Sequence, residues 1–162
     1  MRIKWFSLIR ITGLLLVLLY HFFQTVFPGG FFGVDVFFTF SGFLITSLLL
    51  EEFEQKGTID ILGFFRRRFY RIFPPVVLMV LVVMPFTFLV RQDYVAGIGG
   101  QIAGVLGFMT NFYEMLTGGS YESQFIPHLF VHNWSLAVEV HYYILWGLAV
   151  WFLSKRSKTG GQ

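Results

Sequence analysis

Arg10 and His21 stand eleven residues apart in the run RITGLLLVLLYHFF, which is otherwise dominated by leucine. Eleven helical residues rise roughly 16 Å and return to within about 20° of the same face, so the two groups would mark one polar stripe. An arginine near the start of an apolar helix serves commonly as a snorkelling anchor. An imidazole well inside such a run is costly unless it is hydrogen-bonded to a neighbouring helix or does chemistry. The next stretch, GVDVFFTFSGFLI at 33–45, holds Asp35, Ser41 and Gly42. Asp35 alone reads as a helix N-cap. His21 precedes Pro28 by seven residues and Asp35 follows it by seven. An antiparallel hairpin about that proline predicts the two at similar depth. There the carboxylate would fix the imidazole tautomer and raise its basicity, as a general base requires.

Two further stretches carry ionisable groups. In FFRRRFYRIFPP, 64–75, Arg68 and Arg71 are three residues apart and share a helical face, so their guanidinium groups could converge on a phosphate. The same cluster also serves as a positive-inside signal flanking a membrane span. In HNWSLAVEVHYY, 132–143, the aromatic residues fit an interfacial belt. Glu139, one turn into an apolar segment, needs a partner such as Arg10 or Arg71. Cysteine is absent, which excludes disulfides, thiolate metal sites and a thioester on the protein. No metal-ligand set emerges; haem ligation by His21 and His141 is a minor alternative.

The elements that must position these groups are helices in lipid. Of 162 residues, 56% are hydrophobic and only 13% charged, with a mean hydropathy of +0.68. Soluble domains are about a quarter charged, so the chain is read as a membrane protein. Apolar segments near the roughly 20 residues needed to cross the hydrocarbon core lie at about 5–27, 31–50, 72–90, 95–113 and 134–153. The first is read as an uncleaved span. "PGG" at 28–30 breaks the chain between the first two. The connector 51–71, rich in arginine, is expected to be cytoplasmic, which puts the N-terminus with Arg2 and Lys4 on the same side. The fourth segment holds Gly97, Gly99, Gly100, Gly104 and Gly107. It is weaker and has a re-entrant alternative, although five crossings are expected.

In this order, the four stretches resemble the acyltransferase 3 family of integral membrane acyltransferases, which includes peptidoglycan and lipopolysaccharide O-acetyltransferases. The matching residues are Arg10 and His21, Gly33 to Phe43, Arg67 to Pro74, and His132 to Glu139. Many members have an Asp-Gly pair where this chain has Ser7 and Leu8, which suggests a subgroup. The family usually has about twice as many spans, often followed by an extracytoplasmic hydrolase-like domain. The expected fold is therefore all-α, a polytopic helical bundle forming part of a larger membrane domain, and the chain is read as an N-terminal fragment inactive by itself.

The resemblance implies transfer of an acyl group, most often acetyl, from acyl-CoA (acetyl-CoA) to a hydroxyl of a cell-envelope carbohydrate such as peptidoglycan. Arg10, Arg68 and Arg71 would hold the coenzyme A phosphates. His21, with Asp35, would act as general base or acyl relay, and Glu139 completes the catalytic set. Ser41, Gly42, His132, Trp134 and Ser135 are motif residues. No permanently bound cofactor and no nucleic acid is expected. The implied partners are acyl-CoA, an envelope glycan, the bilayer of the cytoplasmic membrane, and a missing C-terminal half or hydrolase-like domain. The alternative is a non-catalytic membrane protein, either a remnant or a pore- or flippase-like subunit.

Overall fold

A computed structural model describes residues 2–23, 25–89, 97–118 and 128–159. All regular structure among them is helical: α1 (Arg2–Phe22), α2 (Phe32–Lys56), α3 (Ile61–Phe86), α4 (Ile98–Leu106), α5 (Thr110–Thr117) and α6 (Trp134–Thr159), with short 3-10 turns between. The chain forms two compact units, residues 1–57 and 58–162.

The first unit is a helical hairpin. Pro28 opens a 3-10 turn, Pro28–Phe31, that leads directly into α2; its fixed φ suits the first position and it has no amide hydrogen to leave unbonded there. Gly57 ends α2 in the left-handed conformation, φ 65°, and its N–H bonds Phe53 O at 2.7 Å. This is a stop that glycine makes at no steric cost. Glycines also set how the helices meet. A Cβ on Gly33 would lie 2.6 Å from Gly13 O and 2.8 Å from a Val17 methyl, and one on Gly30 would lie 2.8 Å from Tyr20 Cβ. Small residues let backbones approach closely where lipid offers no hydrophobic drive.

Those contacts set the register, and it differs from the one equal spacing about Pro28 predicts. With Gly13 beside Phe37, Val17 beside Gly33 and Tyr20 beside Gly30, Asp35 lies level with Gly13–Leu15. His21 is nearer the closed end by roughly 10 Å, at about 1.5 Å per residue. The physical reason is that α1 stops at Phe22 while the turn consumes residues on both sides of Pro28 unequally.

In the second unit, the Asp60 carboxylate accepts the Gly63 N–H at 2.9 Å and caps α3. The connector expected over 51–71 is therefore a short turn between Lys56 and Ile61, and Arg66–Arg71 belong to a helix. Pro74 and Pro75 lie inside α3; they withhold the amides that would bond the carbonyls of Tyr70 and Arg71. The single span expected over 95–113 is replaced by α4 and α5, nine and eight residues long. At about 1.5 Å per residue neither approaches the roughly 30 Å hydrocarbon core. The break is built by Gly107 and by Phe108 at φ 53°, with Met109 N–H bonding back to Gly104 O at 2.7 Å. The expected span ends at 90 and 95–96 lie outside the described residues. Among the described residues, three helical stretches are long and apolar enough to cross a membrane, Pro28–Lys56, Ile61–Phe86 and Val131–Arg156, and Leu8–Phe22 is a shorter apolar helix. The core of the second unit centres on Val76, Val80, Val105 and Phe130.

Candidate functional site

In the hairpin, the half-buried Arg10 stacks its guanidinium carbon 5.7 Å from the centroid of the Phe40 ring, within the reach of a cation–π contact. His21 is exposed, and its Nδ1 lies 2.8 Å from the Val17 carbonyl oxygen. A carbonyl only accepts, so the neutral ring carries its proton on Nδ1 and leaves Nε2 as the basic nitrogen. The tautomer is thus held by the backbone of α1 itself. Asp35 is exposed on α2. Ser41 and Gly42 are half-buried one turn and more further along, and Gly42 O accepts the Thr46 hydroxyl at 2.8 Å.

In the second unit, Arg68 is gripped between two rings, its guanidinium carbon 5.6 Å from the Phe64 centroid and 5.4 Å from that of Tyr143. The Tyr143 hydroxyl donates to the Glu139 carboxylate. Glu139, one turn before Tyr143 on α6, thereby reaches the arginine's surroundings through the tyrosine. Arg68 also lines a groove of about 450 Å³ whose other walls include Phe69, Ile72, Leu106, Phe108 and Val140. Phe108 owes its place there to the left-handed bend between α4 and α5, a conformation costing about 1–2 kcal/mol for a residue with a Cβ. Arg71 is exposed. Where the sequence predicts one convergent pair, the helix places one guanidinium among aromatic rings and the other at the surface. His132 is exposed, Trp134 opens α6, and the Ser135 hydroxyl donates to His132 O at 3.3 Å. His141 lies against the Phe112 ring, centroids 5.5 Å apart.

The most fully formed carboxylate–imidazole pair is one that the sequence motifs do not single out. His128 Nδ1 lies 2.7 Å from Glu114 Oε2, with side-chain exposures of 11% and 8%. The ring of Tyr113 lies beside the imidazole at 5.6 Å. Nearby, Gln101, 1% exposed, accepts the Phe130 N–H through Oε1 at 3.3 Å, and Asn133 donates to Phe130 O at 3.3 Å. The Gln101–Phe130 and Glu114–His128 bonds hold the segment after residue 127 against α4 and α5. One signal is present in the sequence: Glu114 is a lone carboxylate inside the apolar TNFYEML, where it demands a partner.

The family of the acyltransferase domain matches residues 3–160. Over 142 residues, 88% of this chain, 34% of positions are identical to "O-acetyltransferase OatA" of Staphylococcus aureus (strain NCTC 8325 / PS 47). Over 156 residues, 94% of this chain, 34% are identical to "Putative O-acetyltransferase SACOL0978" of Staphylococcus aureus (strain COL). The alignments cover 24% and 26% of those proteins, so the chain spans about a quarter of the relatives it matches. No solved structure matches.

Proposed function

The chain belongs to the acyltransferase 3 family, and on that premise we propose that it contributes the donor-binding and base-bearing part of a membrane O-acyltransferase. The transferred group is acetyl, the donor is acetyl-CoA, and the acceptor is a hydroxyl of a cell-envelope carbohydrate such as peptidoglycan. Supporting this reading above all is the groove in the second unit, where an apolar wall meets the ring-held guanidinium of Arg68. Such a groove suits a thioester arm that ends in phosphates. A guanidinium matches phosphate oxygens better than an ammonium, and the flanking rings restrict it before the ligand arrives. Arg71, exposed on the same helix as Arg68, supplies further positive charge for the phosphates.

His21 is the general base. With Nδ1–H committed to Val17 O, Nε2 takes the proton of the acceptor hydroxyl as that oxygen bonds the acyl carbonyl carbon. The carbon–sulfur bond breaks, and the thiolate leaves as thiol with the proton returned by the imidazolium. Asp35 contributes charge on the facing helix, and Glu139 holds Tyr143 beside Arg68.

Membranes from cells expressing the protein should bind isotopically labelled acetyl-CoA, and Arg68→Ala should suppress that binding. Binding of acetyl-CoA unchanged by Arg68→Ala would sink the assignment of the groove. The membrane is the cytoplasmic one, with the N-terminus and the turn at 57–60 on the cytoplasmic side. The chain has no native cysteine, so single cysteines report sidedness directly. Thr58→Cys should react only with permeant reagents, and Gly29→Cys, where a side chain meets nothing within 4 Å, should react with impermeant ones. The opposite pattern inverts the topology.

A further inference from the structure

Within the second unit α6 runs antiparallel to α3. Gly147 faces Ile61 and Phe64, the Tyr143 ring faces Arg68, and Asn133 lies 4.0 Å from the Met79 sulfur. The groove of about 450 Å³ follows this seam, between Phe65 and Ile72 of α3 and Val140 and Ile144 of α6. Phe108 stands at its inner end, where its ring meets that of Phe73 with centroids 6.3 Å apart. Arg68 is the one charged side chain among the residues that line it.

Depth and charge together select an occupant. Within α3 the run from Ile72 to Phe86 carries no charge and rises roughly 22 Å, most of the roughly 30 Å hydrocarbon core. Arg66, Arg67, Arg68 and Arg71, just before that run, therefore stand at the level of the lipid phosphates. The groove leads from that level into the hydrocarbon, and Phe69 and Ile144 in its wall are exposed, so a chain can enter from the side. The rings of Phe64 and Tyr143 restrict the plane of the Arg68 guanidinium, whose donors lie around its edge and fork onto phosphate oxygens. Four arginines in six residues repel a cationic head group such as choline and attract an anionic one. The Glu139 carboxylate does not line the groove and accepts the Tyr143 hydroxyl.

We propose that the groove between α3 and α6 binds an anionic glycerophospholipid, with its phosphate on Arg68 and the first carbons of one acyl chain along Ile72 and Val140 toward Phe108. This lipid site stands without the acyl-transfer reading. The further statement, that the lipid and acetyl-CoA compete for Arg68 so that the bilayer composition regulates donor binding, rests on that reading.

The test is native mass spectrometry of the full chain in a nonionic detergent, titrated with dioleoyl phosphatidylglycerol. One such lipid should stay bound, whereas dioleoyl phosphatidylcholine, and glycerol 3-phosphate without the chains, should bind far more weakly. Arg68→Ala should lower the affinity for phosphatidylglycerol roughly ten- to a hundredfold, the effect of losing a hydrogen bond to a charged group. Val140→Phe keeps every charge and narrows the groove, so it should lower the affinity about tenfold by displacing roughly two methylenes of the chain. Arg66→Ala, an exposed change outside the groove wall, should leave it unaltered. Absence of phosphatidylglycerol binding by the wild type overturns the proposal. So do equal losses in Arg66→Ala and Arg68→Ala, undiminished binding in Val140→Phe, or glycerol 3-phosphate binding as tightly as the lipid. Release of the lipid by acetyl-CoA supports the shared site. Retention of the lipid at saturating acetyl-CoA keeps it in the groove and sinks the donor assignment. Acetyl-CoA binding that needs Arg68, with no phospholipid bound by the wild type, does the reverse.

Discussion

Each unit carries an imidazole and a carboxylate, and the two units treat them oppositely. In the hairpin, His21 bonds its own helix backbone at Val17, and Asp35 stands exposed on the facing helix about 10 Å away along the axis. In the second unit, Glu114 and His128 come from different segments, meet at 2.7 Å and are almost wholly enclosed. Counting residues outward from a turn predicts the first pair and misses the second. In the hairpin, depth is governed by where Gly13, Gly30 and Gly33 let the backbones touch. In the second unit, a carboxylate in an apolar stretch finds its partner because burying it alone would be far costlier.

The sharpest way to break this contrast is to remove one member of the enclosed pair. Either Glu114→Ala or His128→Ala should destabilise the protein by about 3 kcal/mol, since each leaves its partner buried and unpaired. The double variant should lose less than the sum of the singles by at least about 1 kcal/mol, read from detergent-titrated unfolding followed by tryptophan fluorescence. Strict additivity would make the contact incidental.

A second expected effect lies in the groove. Arg68→Ala should weaken acetyl-CoA binding by about 1.5–3 kcal/mol, the range for a hydrogen bond to a charged group. Arg68→Lys should restore only part of it, because an ammonium neither stacks nor forks in the same way. The exposed Arg71 should cost less when truncated. Equal losses at both positions, measured by equilibrium binding, would mean that the rings around Arg68 add nothing.

The hairpin register can be attacked directly. Gly33→Ala forces a methyl against Gly13 O and Val17 and should cost about 1–3 kcal/mol by overpacking, whereas Gly29→Ala, with open space around it, should be nearly silent. Matching stabilities for the two variants in thermal unfolding would contradict the close approach. The smallest signal should come from the hairpin pair. The effects of His21→Ala and Asp35→Asn on the transfer rate should add within about 0.5 kcal/mol, as befits residues separated beyond direct contact. Strong coupling there would show that the two meet during turnover.

Much of the architecture is legible in the sequence because its causes are local. Leucine and phenylalanine runs of membrane length fix the long helices, and the break at 28–30 follows from Pro28 and its glycines. The arginine, histidine and glutamate motifs mark the family over nearly the whole chain. Hydropathy alone does not reveal that 98–117 is two helices, since Phe108 takes a left-handed conformation stabilised by the Gly104–Met109 bond and by contact with Phe73, on α3. Nor does spacing reveal that Arg68 lies between Phe64 and Tyr143, or that Glu114 meets His128. Segment type follows from the free energy of each stretch in lipid, which a sequence window contains. Which polar groups meet follows from the packing of residues distant in the chain, and only the tertiary structure decides it.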